Sequence, residues 1–132
     1  MITATKIIIN FLKKQKKIKE ILYPHNPSSK NYKLWKKYYS GANGLFSVVI
    51  KSKKKSSVIR FVNSLKLFGI GYSWGGFESL VLYQDLRDDT KYTKTRRYFR
   101  FAKDEHIVRL HIGLEDPKDL IQDIKQALRY LR

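Results

Sequence analysis

Ser64-Leu-Lys-Leu-Phe-Gly-Ile-Gly-Tyr-Ser-Trp-Gly-Gly-Phe-Glu-Ser-Leu80 is the stretch that decides how this chain is read. Its first half, Leu67 to Ser73, is rich in apolar and aromatic residues and reads as a strand. Gly75-Gly76 then allows a sharp backbone bend free of side chains. Leu80-Val-Leu-Tyr83 resumes as a second strand. Several strands along the chain are separated by less than a crossover's length, so part of the sheet is expected to be antiparallel. Just before this stretch, Val58, Phe61, Val62 and Leu65 recur at i, i+3, i+4 and i+7. That spacing predicts a helix, with Ser56 or Ser57 placed to cap it.

Working outward, Ile107-Val-Arg-Leu-His-Ile-Gly-Leu-Glu-Asp116 follows the same logic. His106 to Ile112 alternates as a strand does. Asp116 is an N-cap ahead of Pro117 at the first helical position, and Leu120, Ile121, Ile124, Ala127, Leu128 and Leu131 form one apolar stripe. Upstream, Thr5 to Lys19 has helical period, with Thr3 or Thr5 as its cap. Glu20 to Pro24 reads as a short strand, Tyr23 to Ser29 as a loop, Asn31 to Tyr39 as a short helix, and Leu45 to Ile50 as a strand after the turn Ser40 to Gly44. Asp85 to Arg100 is polar and reads as an irregular excursion. The order predicts a single α+β domain over residues 1–132. It has two layers, a largely antiparallel sheet with helices on one face.

The chain has 132 residues, 28 Lys+Arg, 11 Asp+Glu and no cysteine. Disulfides, thiolate metal sites and cysteine nucleophiles are excluded. Hydrophobic residues at 42% argue against disorder. No apolar run approaches the roughly 20 residues that span a bilayer. The start lacks the pattern of a cleaved leader, so a soluble, unprocessed, cytoplasmic protein is expected. The net charge of +17 invites a nucleic-acid reading, but lysines number 20 against 8 arginines and are scattered. Codon bias in an AT-rich genome accounts for that skew equally well. No histidines are spaced with carboxylates as metal ligands would be, so no metal site is expected.

The Ser-Trp-Gly-Gly-Phe-Glu-Ser and Arg-Leu-His-Ile-Gly-Leu-Glu-Asp motifs, in this order, resemble the C-terminal domain of the cystathionine β-lyase family. This is a group of pyridoxal-phosphate enzymes of Cys/Met metabolism. Tyr23-Pro, Trp35-Lys and Gly41 to Phe46 are similar to it as well, so the resemblance covers nearly the whole chain. It implies the small C-terminal domain of a fold-type I enzyme and a chemistry of C–S cleavage, from cystathionine to homocysteine, pyruvate and ammonia. In that family a large N-terminal domain carries the cofactor lysine, the acid at the pyridine nitrogen, the stacking tyrosine and the phosphate groups. This chain is expected to begin after them. Asp89-Thr-Lys-Tyr92 looks like the cofactor lysine region only superficially and lies in the wrong place.

By resemblance, Arg109 clamps the substrate α-carboxylate, the task for which a planar guanidinium is suited. Ser73 and Trp74 form the active-site wall, and Tyr72 is adjacent. Glu78 is expected to pair locally and hold the bend. His111, two residues after Arg109, shares its strand face and reads as a structural histidine, while His25 and His106 read as loop or strand-edge residues. No catalytic or cofactor-binding residue is expected within the chain, and pyridoxal phosphate is not expected to bind it alone. The leading expectation is a truncated lyase-like domain, inactive by itself. A second is half of a split enzyme whose partner is a separate N-terminal fragment. A third is a non-specific basic nucleic-acid-binding module, resting on Lys13–Lys17, Lys51–Lys55 and Arg96–Arg100. Those clusters fall on three separate elements, so no single groove is implied.

Overall fold

A computed structural model describes residues 2–85 and 101–131. Asp89 to Tyr92 and Arg96 to Arg100, and nearly all of the expected irregular excursion, lie outside them.

Nine elements are described: α1 (Ile2–Lys13), β1 (Ile18–Leu22), α2 (Tyr32–Tyr38), β2 (Leu45–Lys51), α3 (Lys55–Ser64), β3 (Gly69–Ile70), β4 (Leu80–Gln84), β5 (Glu105–His111) and α4 (Pro117–Leu128). The strands form one sheet in the order β1-β2-β5-β4-β3. β1 with β2, β2 with β5, and β5 with β4 are antiparallel. β3 and β4 run parallel. The connection through residues 71–79 is an irregular loop that carries the chain back to the starting end of β3, so no helical crossover is needed.

One face of the sheet presents Phe46, Val48, Ile50, Val81, Val108, Leu110 and Ile112 to a common core. Ile8, Ile9 and Leu12 of α1, Phe61 and Val62 of α3, and Leu120 and Ile124 of α4 fill it from the other side. Each helix has apolar residues at helical spacing, and burying those stripes holds the layers together. The α+β architecture with helices on one face is therefore as expected.

Local boundaries differ. α1 ends at Lys13 rather than Lys19, and Ile18 opens β1 instead of extending the helical stripe. The helical period expected from Thr5 to Lys19 would have kept Ile18 in α1. A tight turn achieves the same burial from a strand, with the Gln15 N–H donating to the Leu12 carbonyl and the Ile18 N–H to that of Gln15. Thr3 and Thr5 lie inside α1, and Thr5 is buried. Neither Ser56 nor Ser57 caps α3: its N-cap is Lys54, without a side-chain cap bond. Ser52 supplies a hydroxyl there instead, accepting from the Lys54 N–H at 3.3 Å. β3 is two residues long, not seven, because the chain leaves the sheet at Gly71. Asp116 does cap α4, accepting from the Lys118 N–H at 2.9 Å.

The turn between α3 and β3 is pinned by Asp123 of α4. Its buried carboxylate accepts from the Lys66 N–H at 2.9 Å and the Leu67 N–H at 2.7 Å. This fixes where the Gly69–Ser79 segment enters the far end of the sheet.

Candidate functional site

β5 is the central strand, and its residues alternate between the core and the face away from the helices. Arg109 stands on the latter face, in register with Ser47 of β2 and Leu82 of β4. His111 follows on the same face, in register with Leu45 and Leu80.

The loop leaving β3 folds over these two side chains. Nη2 of Arg109 donates to the Tyr72 carbonyl at 2.7 Å and lies 3.4 Å from the Ser73 carbonyl. The structure thus brings Arg109, Tyr72 and Ser73 together from motifs far apart in sequence. Trp74 continues from them with its side chain 80% exposed, beside Tyr72 at 79%. Nε and Nη1 of Arg109 have no protein acceptor among the described residues, and no carboxylate of the described residues pairs with it.

The bend is built from backbone. Gly75 has φ +114°, a left-handed conformation that side chains rarely adopt, and a Cβ there would overlap the His111 ring. The Gly75 N–H donates to Ser73 Oγ at 3.2 Å. His111 is buried, with Nε2 3.1 Å from the Gly76 carbonyl oxygen and 3.2 Å from the Gly76 nitrogen. Its Nδ1 is buried without a hydrogen-bond partner among the described residues. His106 differs from expectation, being fully buried on the central strand rather than at a strand edge. Its Nε2 can only donate to the Ser52 carbonyl, at 3.0 Å, so Nδ1 accepts from the Tyr83 hydroxyl, at 2.7 Å.

Glu78 was expected to hold the bend, but it is exposed, and the carboxylate that does so is Glu115. Its two oxygens accept from the Ser79 N–H at 2.9 Å and the Ser79 hydroxyl at 2.7 Å. The Gly113 N–H donates to Ser79 Oγ at 2.9 Å, closing the knot. Partial burial by itself raises the Glu115 pKa. The hydrogen bonds from Ser79, its own N–H and the nearby His111 outweigh that and hold it below the ordinary value. Ser79 and Glu115 both lie in the two quoted stretches. Nothing local singles them out as partners, because their contact spans the sheet.

The basic clusters are also rearranged. The Lys51 N–H donates to the Lys17 carbonyl at 2.8 Å, so two of the three clusters lie side by side. Acidic groups interrupt them: Lys19 pairs with Glu105 at 2.8 Å and Lys55 with Asp85 at 3.0 Å. Among the described residues, no three His, Asp or Glu side chains are gathered as a metal site. No helix of the described residues is long and apolar enough to cross a membrane.

Residues 2–129 match the Cys/Met metabolism PLP-dependent enzymes. The chain belongs to this family. It is 39% identical over 121 residues to a cystathionine β-lyase of Bordetella avium, covering 92% of this chain and 29% of that protein. It is 38% identical over 125 residues to an L-alanine/L-glutamate racemase of Wolbachia pipientis wMel, covering 94% of this chain and 30% of that one. A Campylobacter jejuni structure described as an O-acetylhomoserine (thiol)-lyase, containing a pyridoxyl-lysine, superposes with a TM-score of 0.74 at 29% identity. That match covers 96% of this chain and 27% of the other. The chain thus spans about 30% of the length of the curated relatives it matches.

Among the described residues, those lining the hollow beside the bend do not by themselves fit pyridoxal phosphate. The hollow beside the bend, about 250 Å³, is lined by Ser73, Gly75, Gly76, Phe77, Glu78 and Leu80, without a lysine amine to hold the cofactor covalently. What the residues around Arg109 do fit is a carboxylate: one guanidinium with open donors, steadied through its Nη2, beside exposed aromatic rings.

Proposed function

We propose that this chain is the substrate-orienting C-terminal domain of a pyridoxal-phosphate C–S lyase of the cystathionine β-lyase type. Arg109 receives the α-carboxylate of the amino-acid substrate through its open donors. Tyr72 and Trp74 wall the substrate side, and Ser73 shapes the bend that carries them. The observation that supports this most directly is Arg109 reaching across to the Tyr72 and Ser73 carbonyls. One strand's cation and another segment's aromatic wall thereby become a single surface.

The cofactor and its lysine belong to a second polypeptide segment, on this chain or on another, and these 132 residues are catalytically silent without it. Ile70, Tyr72, Trp74, Phe77 and Leu114 are all exposed around the site. Such a cluster of large apolar side chains suits burial against that segment.

The test has two stages. The purified chain, mixed with pyridoxal phosphate and cystathionine, is expected to release no pyruvate. A chimera in which this chain replaces the matching segment of the Bordetella avium enzyme is expected to release it. In the chimera, Arg109→Ala is expected to lower kcat/KM about a hundredfold or more, the loss of two charge-assisted hydrogen bonds. An active isolated chain, or an Arg109→Ala chimera as fast as its parent, overturns the proposal.

A further inference from the structure

We propose that α2 and the loops beside it form a binding surface for single-stranded nucleic acid, with bases stacked on Tyr38 and Tyr39 and phosphates held by Lys33, Lys36 and Lys37.

The segment 30–39, Lys-Asn-Tyr-Lys-Leu-Trp-Lys-Lys-Tyr-Tyr, interleaves cations and aromatics. α2 contributes no buried residue to the core. Tyr38 and Tyr39 are each 67% exposed, which leaves ring surface within reach of a ligand. Lys37 Nζ lies 5.2 Å from the centre of the Tyr38 ring, which puts a cation and a stacking face within one nucleotide's reach. The helix is held in place from beneath, where Trp35 Nε1 donates to the Gly41 carbonyl at 3.1 Å and the His25 and Trp35 rings meet edge-on with centroids 4.1 Å apart.

Charge complementarity selects the partner. Glu20 is the last acidic residue before Glu78, so no carboxylate in the intervening sequence neutralises these lysines. Elsewhere on the described surface the lysine clusters are interrupted by Glu105 and Asp85. A polyanion with flat, stackable faces fits cations mixed with exposed rings, and a strand with free bases fits better than a duplex whose bases are already stacked. A cavity of about 510 Å³ lies beside the exposed rings, lined in part by Tyr23, His25, Trp35, Tyr38 and Asn43, and is roomy enough to admit a base. Nδ1 of His25 is buried there without a hydrogen-bond partner.

The experiment is fluorescence anisotropy of a labelled oligothymidylate titrated with the full chain, against a duplex of the same length. The strand is expected to bind more tightly than the duplex at about 0.15 M salt. Tyr38→Ala together with Tyr39→Ala is expected to weaken strand binding about thirtyfold or more, the scale of two lost base stacks, with an unchanged melting temperature because neither ring is in the core. Lys33→Gln, Lys36→Gln and Lys37→Gln combined are expected to flatten the logarithmic salt dependence by about 2, near 0.7 per phosphate contact. Equal binding of strand and duplex with no effect of the tyrosine changes means plain polyanion attraction and overturns the proposal. Absence of strand binding at that salt overturns it too.

Discussion

Ser79 and Glu115 are joined by two hydrogen bonds across the end of the sheet. The Glu115 pKa lies below its ordinary value of 4.5 in the folded chain. A carboxylate depressed by folding stabilises the fold above its unfolded pKa, and that contribution is lost as pH falls through the lower folded value. Glu115→Gln is therefore expected to lower stability at neutral pH and to reduce the loss on acidification from about pH 5 to about pH 3. Urea unfolding midpoints at the two pH values check this, and a variant with the parent's acid dependence contradicts it. Glu105 is depressed as well, chiefly by the Lys19 hydrogen bond, but that pair is exposed enough on the lysine side to contribute little. At this scale the motif residues were legible and their partners were not. Arg109 was singled out by the resemblance of its motif, since strand alternation alone reads it as an ordinary surface arginine. That Glu115 rather than Glu78 secures the bend depends on which carboxylate the sheet carries beside Ser79.

Among the elements, α4 was the most legible, because a proline, a capping aspartate and an unbroken apolar stripe all agree. Its least visible contribution is Asp123, which sits among the helix's buried residues and accepts from two backbone N–H groups of the α3–β3 turn. Asp123→Ala removes two hydrogen bonds from the turn to a buried carboxylate, and a bond to a charged group is worth about 1.5–3 kcal/mol. The expected result is a loss of about 2 kcal/mol or more in denaturant unfolding. A loss below about 0.5 kcal/mol, the range of ordinary surface changes, shows that water replaces the carboxylate. β3 and the end of α1 were less legible for a common reason. Apolar composition marks burial without saying whether a helix, a turn or two residues of strand accomplish it.

Over the whole molecule, several large apolar side chains stand exposed. Trp74 and Phe77 are among the exposed large apolar side chains of the bend, while the core is filled from the helical side. The isolated chain is expected to bind a hydrophobic dye and to self-associate despite its charge of +17. Trp74→Ser with Phe77→Ser is expected to reduce both while leaving the melting temperature within about 2 °C, since neither side chain is in the core. Light scattering and dye fluorescence give the readout. A fall in scattering without a fall in dye binding places the sticky surface elsewhere.

The amino-acid sequence by itself determined the element types, the α+β class, the family to which the chain belongs and the cation proposed to orient a substrate. These follow from periodicities of two and 3.6 residues and from short motifs, both local properties of the chain. Only the tertiary structure decided the parallel pairing of β3, the grip of Arg109 on the Tyr72 and Ser73 carbonyls, the knot of Ser79, Gly113 and Glu115, and the adjacency of Lys17 and Lys51. Each is a contact between residues distant in sequence, and such a contact exists only once the chain's path has brought its two ends together.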